Sequence, residues 1–515
     1  MLIFFLPLFL AILMIGTPVV FALLFAPGFM TWATGNERDL AILYRNVYTG
    51  IDSFPLMALP FFMLAGEVMN RGGITTRLVE FSQAFMGHLR GGLAQVNILS
   101  SILFAGLSGS AVADTSALGS TLIPAMEKNG YTRKFAAAIT AASSVIGPII
   151  PPSGIMIIYA YVMGESVAAL FLAGIVPGIL VGVGLMVMVR LMADRYDLPK
   201  AERIVHKNQT IKPIEFWLSM ILARINVMGL LWALFRLVSP FTGLAKPEGV
   251  MLAGTLIILL IIAHFLLVAL RGQVSSDFRI VMKKGVVPLQ TPIIILGGIL
   301  VGIMTPTEAS TIAVAYALLV SVFVLKSLTW ADFFDVLQRS ALASAAVLLL
   351  VGAAVAFKTI VATSGAATTM ADFILGLSEN PLILLFLINI LLFIVGMFLD
   401  AGPAIIILGP ILGPIFVDIG VHPVHFAIIM SVNLTVGLAT PPMGLVLFVA
   451  STVSREKVET ISKAILPFLA IEVVVIFLIT FIPQISMTVP YLADFLGCSP
   501  DTGYMACISP GPPSN

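Results

Sequence analysis

Ser143-Ser-Val-Ile-Gly-Pro-Ile-Ile-Pro-Pro-Ser-Gly154 returns later in the chain as Asn433-Leu-Thr-Val-Gly-Leu-Ala-Thr-Pro-Pro-Met-Gly444. The shift is 433 − 143 = 290, and it holds without a gap well beyond this stretch. It pairs Gly106 with Gly396, Gly119 with Gly409, Pro124 with Pro414 and Gly130 with Gly420. It then pairs Gly147 with Gly437, Pro151 with Pro441, Pro152 with Pro442 and Gly154 with Gly444. In so apolar a chain, matched Leu, Ile and Ala arise by chance. Matched glycines and prolines are more telling, because each sets a backbone break. A duplicated hydrophobic segment broken at the same places is the sequence mark of a secondary transporter.

Composition sets the solvent. Of 515 residues, 59% are hydrophobic and 10% charged, with a mean hydropathy of +1.09. Soluble domains carry roughly 25% charged residues, so most of this surface faces lipid. A net charge of +1 excludes general attraction to nucleic acid. The chain has room for about a dozen spans of about 20 residues. Long unbroken apolar runs point to helices and exclude a β-barrel.

Leu2–Phe29 reads as a retained first span, too long for a signal-peptide core and without its basic flank. Arg190, Arg195, Lys200, Arg203, Lys207 and Lys212 crowd one connector, which the positive-inside rule places in the cytoplasm. The last span is expected at Ile465–Val489, and the tail after it has no Lys or Arg, which puts it outside. The chain's two cysteines, Cys498 and Cys507, lie in that tail, either as a local disulfide or as two free thiols.

The expected fold is an all-α polytopic membrane protein of four parts. A first repeat covers 1–205, with a hairpin at 96–126 and a broken helix at 134–165. An inserted segment follows at 206–284, with runs at Phe216–Val238 and Val250–Leu270 read as two extra spans. A second repeat covers 285–487, with a hairpin at 389–417 and a broken helix at 424–452. The tail is 488–515. Ahead of the first hairpin, Arg38–Ser53 reads as an amphipathic helix along the membrane, followed by a span near Phe54–Met69, a Gly72-Gly73 break and a helix at Ile74–His88. The corresponding second-half elements are Ser327–Ser340, Ala341–Val361 and a break at Gly365.

Two motifs carry chemistry. Phe104-Ala-Gly-Leu-Ser-Gly-Ser-Ala-Val-Ala-Asp-Thr-Ser116 places small and hydroxylic residues in mid-segment, which suits the tip of a re-entrant hairpin lining a wet cavity. Its partner, Val395-Gly-Met-Phe-Leu-Asp-Ala-Gly-Pro403, sets Asp400 opposite Ser110. Helix packing through small residues explains the Gly and Ser. It does not explain an intramembrane Asp, which is costly and by default functional. The Pro-Pro motifs remove N–H donors and leave carbonyls free in the preceding turn, and such oxygens are hard ligands of the kind a dehydrated Na⁺ needs.

Other positions weigh less. Glu308 reads as a first-turn acid that stabilises a helix start. A Glu67–Lys358 pairing is open, and His422 and His425 read as solvated loop residues. Gly106-Leu-Ser-Gly109 fits the Gly-x-Ser-Gly of intramembrane serine proteases, but needs an activating His, for which His264 is the one intramembrane candidate. No Cys/His cluster and no phosphate loop is present. No enzyme activity and no cofactor are expected.

At Asp52-Ser-Phe-Pro55, Ala65-Gly-Glu67, Gly106–Asp114, Ile146–Gly154, Met304–Ala309 and Thr440–Gly444, the sequence resembles the large membrane subunit of TRAP (tripartite ATP-independent periplasmic) transporters. The resemblance implies an inverted-repeat, elevator-type Na⁺ symporter of the bacterial inner membrane with two re-entrant hairpins. It implies uptake of an organic acid anion delivered by a soluble periplasmic binding protein. A small membrane subunit is also implied, here as a separate four-helix chain, since two spans in the insert are too few to supply it. Carried over, one Na⁺ site uses Ser108, Ser110, Ser143, Ser144 and Pro151. The other uses Asp400, Gly402, Asn433, Gly437 and Thr440. The substrate carboxylate is implied between tips and breaks, around Asp114, Ser153, Pro442 and Met443. A stand-alone Na⁺/dicarboxylate symporter is the second reading. The 206–284 insert departs from the usual pattern.

Overall fold

The structure, a computed structural model, describes residues 5–33, 35, 37–196, 198–199, 211–242, 249–378, 380–496, 498 and 504–508. Among them every regular element is helical. The chain begins with α1 (Phe5–Met14) and α2 (Val19–Ala33), packed on each other. The single span expected over Leu2–Phe29 is therefore two short helices. Gly16 takes φ +89° and Pro18 offers no N–H, so the helix ends between them.

Next come α3 (Glu37–Ile51) and α4 (Ala58–Arg71), bent by 60° at a break before Pro55. Gly73, at φ +76°, starts α5 (Ile74–Met86). A hairpin of α6 (Gly92–Ser108) and α7 (Ala111–Lys128) leads to α8 (Arg133–Ser144) and, after a break, α9 (Gly154–Met163). The 29-residue α10 (Val167–Arg195) closes the first half.

The insert forms two long helices, α11 (Pro213–Thr242) and α12 (Gly249–Arg271), each only 6% buried over its span. Residues 200–210, which hold Lys200, Arg203 and Lys207 of the basic connector, lie outside the described residues.

The second half comprises α13 (Ser276–Leu300), α14 (Pro306–Leu319), α15 (Trp330–Ser364) and α16 (Ala366–Leu377). It continues through the hairpin α17 (Pro381–Phe398) and α18 (Ala401–Asp418), then α19 (Pro423–Gly437) and α20 (Leu445–Ser454) flanking the second break. It ends with α21 (Val458–Phe481), α22 (Gln484–Leu492) and α23 (Tyr504–Ile508). The last span is thus Val458–Phe481, displaced toward the N-terminus from the expected Ile465–Val489, because the chain leaves the helix at Ile482 and turns at Pro483. Cys498 and Cys507 are joined in a disulfide that ties α23 to the chain before it.

Ser327–Ser340 and Ala341–Val361 are not separate elements but one 35-residue helix, α15. No proline or glycine stands between Thr329 and Val351, so nothing interrupts it. It starts with a capping box in which Thr329 and Asp332 satisfy each other's amides. Arg71 pairs with Asp332 at 2.6 Å, tying the end of α4 to the start of α15. Glu308 likewise completes a capping box with Thr305 at the start of α14. Gly365 takes φ +70° between α15 and α16, the role Gly73 has between α4 and α5.

α15 packs along α2, α3 and α4, while α14 packs on α4, and α13 on α5 and α11. Around α8 and α19 lies the second group. Phe135–Ser144 of α8 and Val424–Gly437 of α19 are buried on every side, as expected of helices at a bundle centre. The halves exchange partners here: α7 of the first hairpin packs on α20, and α18 of the second packs on α9. Nine helices are long and apolar enough to cross a membrane, or up to ten if the bent α3–α4 pair is one span, among the described residues. The dozen expected is not reached by this measure because half-helices such as α9 and α20 are each too short to span alone.

Candidate functional site

Both Pro-Pro motifs break their helices. α8 ends at Ser144 and α9 begins at Gly154; α19 ends at Gly437 and α20 begins at Leu445. The Pro151–Pro152 and Pro441–Pro442 peptides are both cis. Residues 96–126 and 389–417 fall within the two helical hairpins, whose tips are Gly109-Ser110 and Leu399-Asp400.

The first tip rests on the first break. Gly109 takes φ +59°, and a Cβ there would lie 2.7 Å from the Pro152 carbonyl oxygen. One on Gly106 would lie 3.6 Å from the Pro151 carbonyl and 2.8 Å from Pro292 of α13. Only glycines bring the hairpin this close to the proline carbonyls. Ser110 caps α7, its hydroxyl accepting from the Ala113 amide at 3.4 Å. Ser143 accepts from Ser101 at 2.9 Å and donates to Asn97 Oδ1 at 3.2 Å, and Ser144 lies 2.7 Å from the Thr115 hydroxyl. The two serines of α8 thereby stitch it to both arms of the hairpin. Ser108 ends α6, and its side chain lies outside the described residues.

Asp114 is fully buried against the break, where a Cβ on Gly147 would collide with its Oδ2. Ser153, also buried, caps α9 by accepting from the Met156 amide at 3.3 Å and donates to the Pro148 carbonyl. Both side chains are thus engaged in building the first break.

The second tip is looser. Asp400 caps α18, accepting from the Ala401 amide at 2.7 Å, and is otherwise exposed. A Cβ on Gly402 would meet nothing closer than Ile158 Cδ1 at 3.8 Å. Below the tip the hairpin closes on α19, where a Cβ on Gly437 would lie 2.6 Å from Gly396 Cα. Asn433 donates to Asn389 Oδ1 at 2.6 Å, and Thr480 donates to the same oxygen at 3.0 Å. The other end of the Asn433 amide, Oδ1, is buried without a partner. Thr440 donates to the Val436 carbonyl at 2.9 Å. Pro442 and Met443 are exposed at the break. The structure thus groups Asn433, Gly437 and Thr440 along one side of α19 and its end, with Asp400 at the neighbouring tip but not hydrogen-bonded to them.

Asn97, Ser101, Asn389 and Thr480 lie outside the sequence motifs yet join the site. Each is a polar residue within a largely apolar helical arm, and such a group needs an internal partner in lipid. In both halves a hairpin asparagine, Asn97 or Asn389, meets the aligned position on the broken helix, Ser143 or Asn433.

Three weaker expectations change. His422 caps α19, and His425 is buried between Ser486 at 2.7 Å and the Thr480 carbonyl at 3.2 Å, so neither is a freely solvated loop residue. Lys358 donates to the Val162 carbonyl at the end of α9, and among the described residues it forms no ion pair with Glu67. His264 accepts from Arg224 Nε at 3.1 Å on α12, which packs on α11.

Chemically the region offers carbonyl, hydroxyl and amide oxygens and the carboxylates of Asp114 and Asp400. Among the described residues no group of three or more His, Cys, Asp or Glu side chains converges. These oxygen ligands suit a hard cation rather than a soft transition metal.

The bundle, its paired hairpins and its broken helices define a polytopic membrane transporter. The whole arrangement is similar to the crystal structure of the Alcanivorax borkumensis YdaH transporter, described as having an unusual topology. That likeness has a TM-score of 0.52 and covers 90% of this chain and 89% of that one, at 16% identity. The profile of the family described as "Tripartite ATP-independent periplasmic transporter, DctM component" matches residues 6–485. The chain is 34% identical to the sialic acid TRAP transporter large permease SiaM of Vibrio cholerae, over 95% of its own length and 97% of SiaM. It is 32% identical to the C4-dicarboxylate TRAP transporter large permease DctM of Pseudomonas aeruginosa, over 91% and 92%. The chain belongs to the DctM family of TRAP large permeases, and is a transporter subunit rather than an enzyme.

Proposed function

We propose that this permease couples inward Na⁺ flow to uptake of an organic acid anion by an elevator movement of the hairpin-bearing group against α2–α5 and α13–α15. The anion is delivered by a soluble periplasmic binding protein, and a separate small membrane subunit braces the frame in the bacterial inner membrane. The observation that carries this reading is the doubled tip-and-break, with proline carbonyls against the first tip and the orphan Asn433 Oδ1 beside the second. In a low-dielectric interior an unpaired amide oxygen is costly unless a cation or water meets it.

One cation is assigned to Ser108, Ser110, Ser143, Ser144 and Pro151. The other is assigned to Gly402, Asn433, Gly437, Thr440 and the carboxylate of Asp400. Binding there neutralises Asp400 and orders the broken helices, which permits the loaded group to cross. The substrate carboxylate is assigned between tips and breaks, near Asp114, Ser153, Pro442 and Met443. The acids named in the SiaM and DctM relatives both bear carboxylates, in keeping with this class.

The test is uptake into proteoliposomes, with and without a Na⁺ gradient and the cognate binding protein. Uptake that needs both supports the proposal. Uptake without the binding protein indicates a stand-alone symporter, and indifference to Na⁺ removes the coupling assignment.

A further inference from the structure

We propose that the cleft between the α5–α6 connection and the far end of α10 holds the headgroup of an anionic phospholipid. The cleft measures about 440 Å³ and is lined by His88, Leu89, Arg90, Gln95, Arg190 and Asp194. Gln95 secures one wall, its Nε2 donating to the Met186 carbonyl at 2.9 Å. Arg90 is ion-paired with Asp194, so those two charges offset each other. Among the described residues no carboxylate partners Arg190, which leaves a surplus guanidinium in the cleft. A guanidinium presents a planar fork of donors that matches two oxygens of a phosphodiester.

The helix that carries Arg190 also provides a track for the lipid's chains. Ile179, Val183 and Val187 are exposed on α10. At about 100° per residue, positions 179, 183 and 190 fall within about 40° of one another, so the apolar row and Arg190 share a face. The rise from Ile179 to Arg190 is about 17 Å, comparable to an extended acyl chain. Arg190 also stands where α10 enters the basic connector, the setting in which basic residues gather anionic lipid. A zwitterionic lipid brings its own ammonium group, which competes with Arg190 for the phosphate, so anionic headgroups are favoured. Inorganic phosphate shares the anion chemistry but has no chains to lay along the row.

The experiment is native mass spectrometry of the full-length protein released from mixed micelles of phosphatidylglycerol and phosphatidylcholine. The wild type should retain phosphatidylglycerol preferentially. Arg190→Gln should weaken that retention about fivefold, the effect of one basic residue at a membrane surface, and Arg190→Lys should recover part of it. Lys134→Gln alters the separate 610 Å³ cavity lined by Tyr131, Met192, Tyr196 and Lys463, and should leave retention unchanged. Equal retention of the two lipids, or wild-type retention by Arg190→Gln, overturns the proposal. So does displacement of the lipid by millimolar inorganic phosphate, which would make this a free-anion site. Capture of a protein chain by a photo-crosslinker at Val187 in the assembled transporter would also overturn it, by giving the row to a partner subunit.

Discussion

The two hairpin tips fall at matched places in the sequence, yet they sit in unlike surroundings. The first is clasped: Gly109 lies against the Pro152 carbonyl, and Ser143 and Ser144 bond to both hairpin arms. The second is looser: Asp400 is exposed, a Cβ on Gly402 would meet only Ile158 at 3.8 Å, and close packing begins a turn lower, at Gly396. The proline breaks match between the halves, while the side chains around them differ. The only acidic residue at either tip proper, Asp400, stands on the looser one. The frame shows the same divergence, since α3 and α4 are bent by 60° where the second half runs straight through α15.

Substitutions at matched places sharpen this contrast. The largest effect is expected at Asp400. Asp400→Asn keeps a side chain able to cap α18 but removes the charge, and should abolish Na⁺-dependent uptake while leaving the melting temperature in detergent unchanged. Asp400→Ala should also lose uptake, and in addition about 1 kcal/mol of stability from the missing cap. Normal Na⁺ dependence in the asparagine variant would transfer the role elsewhere.

Next in size is Gly109→Val, which forces a β-branched residue into φ +59° and onto the Pro152 carbonyl. A loss of about 3 kcal/mol or more is expected, seen as poor recovery from membranes and a lowered melting temperature. Gly402→Ala is the counterpart on the open tip, and its melting curve should match the wild type. If both variants melt alike, the tips are equally packed and the contrast fails.

Asn433→Leu is expected to be milder in stability but selective in function. It deletes the orphan Oδ1 together with the bond to Asn389, so the half-saturating Na⁺ concentration should rise by about tenfold or more in transport assays. Ser143→Ala, the aligned change in the first half, removes one hydroxyl and should raise it less. Equal Na⁺ responses would count against separate cation sites.

The smallest effect is expected at Lys358→Met. It removes the donor to the Val162 carbonyl but keeps most of the apolar stem, at a cost of about 1 kcal/mol. Thermal unfolding in detergent measures it.

The positions of the breaks were legible in one dimension because Gly and Pro act on their own residue. Gly73 and Gly365 take left-handed angles at breaks expected from the sequence, and both proline doublets interrupt their helices where the matched pattern placed them. Hydropathy located the lipid-facing mass for an equally local reason, since transfer into lipid is a property of each side chain. The repeat also pointed to α8 and α19, the helices at the bundle's centre.

Pairing was another matter. That Ser143 meets Asn97 and Ser101, that Asn433 shares Asn389 with Thr480, and that Lys358 reaches Val162 rather than Glu67 are products of helix rotation and depth. Those variables depend on how neighbouring helices interlock, and a run of letters does not contain them. The burial of Asp114 and the exposure of Asp400 arise in the same way: a carboxylate's surroundings are made by segments remote in the chain, so only the folded bundle decides which acid is enclosed and which faces open space.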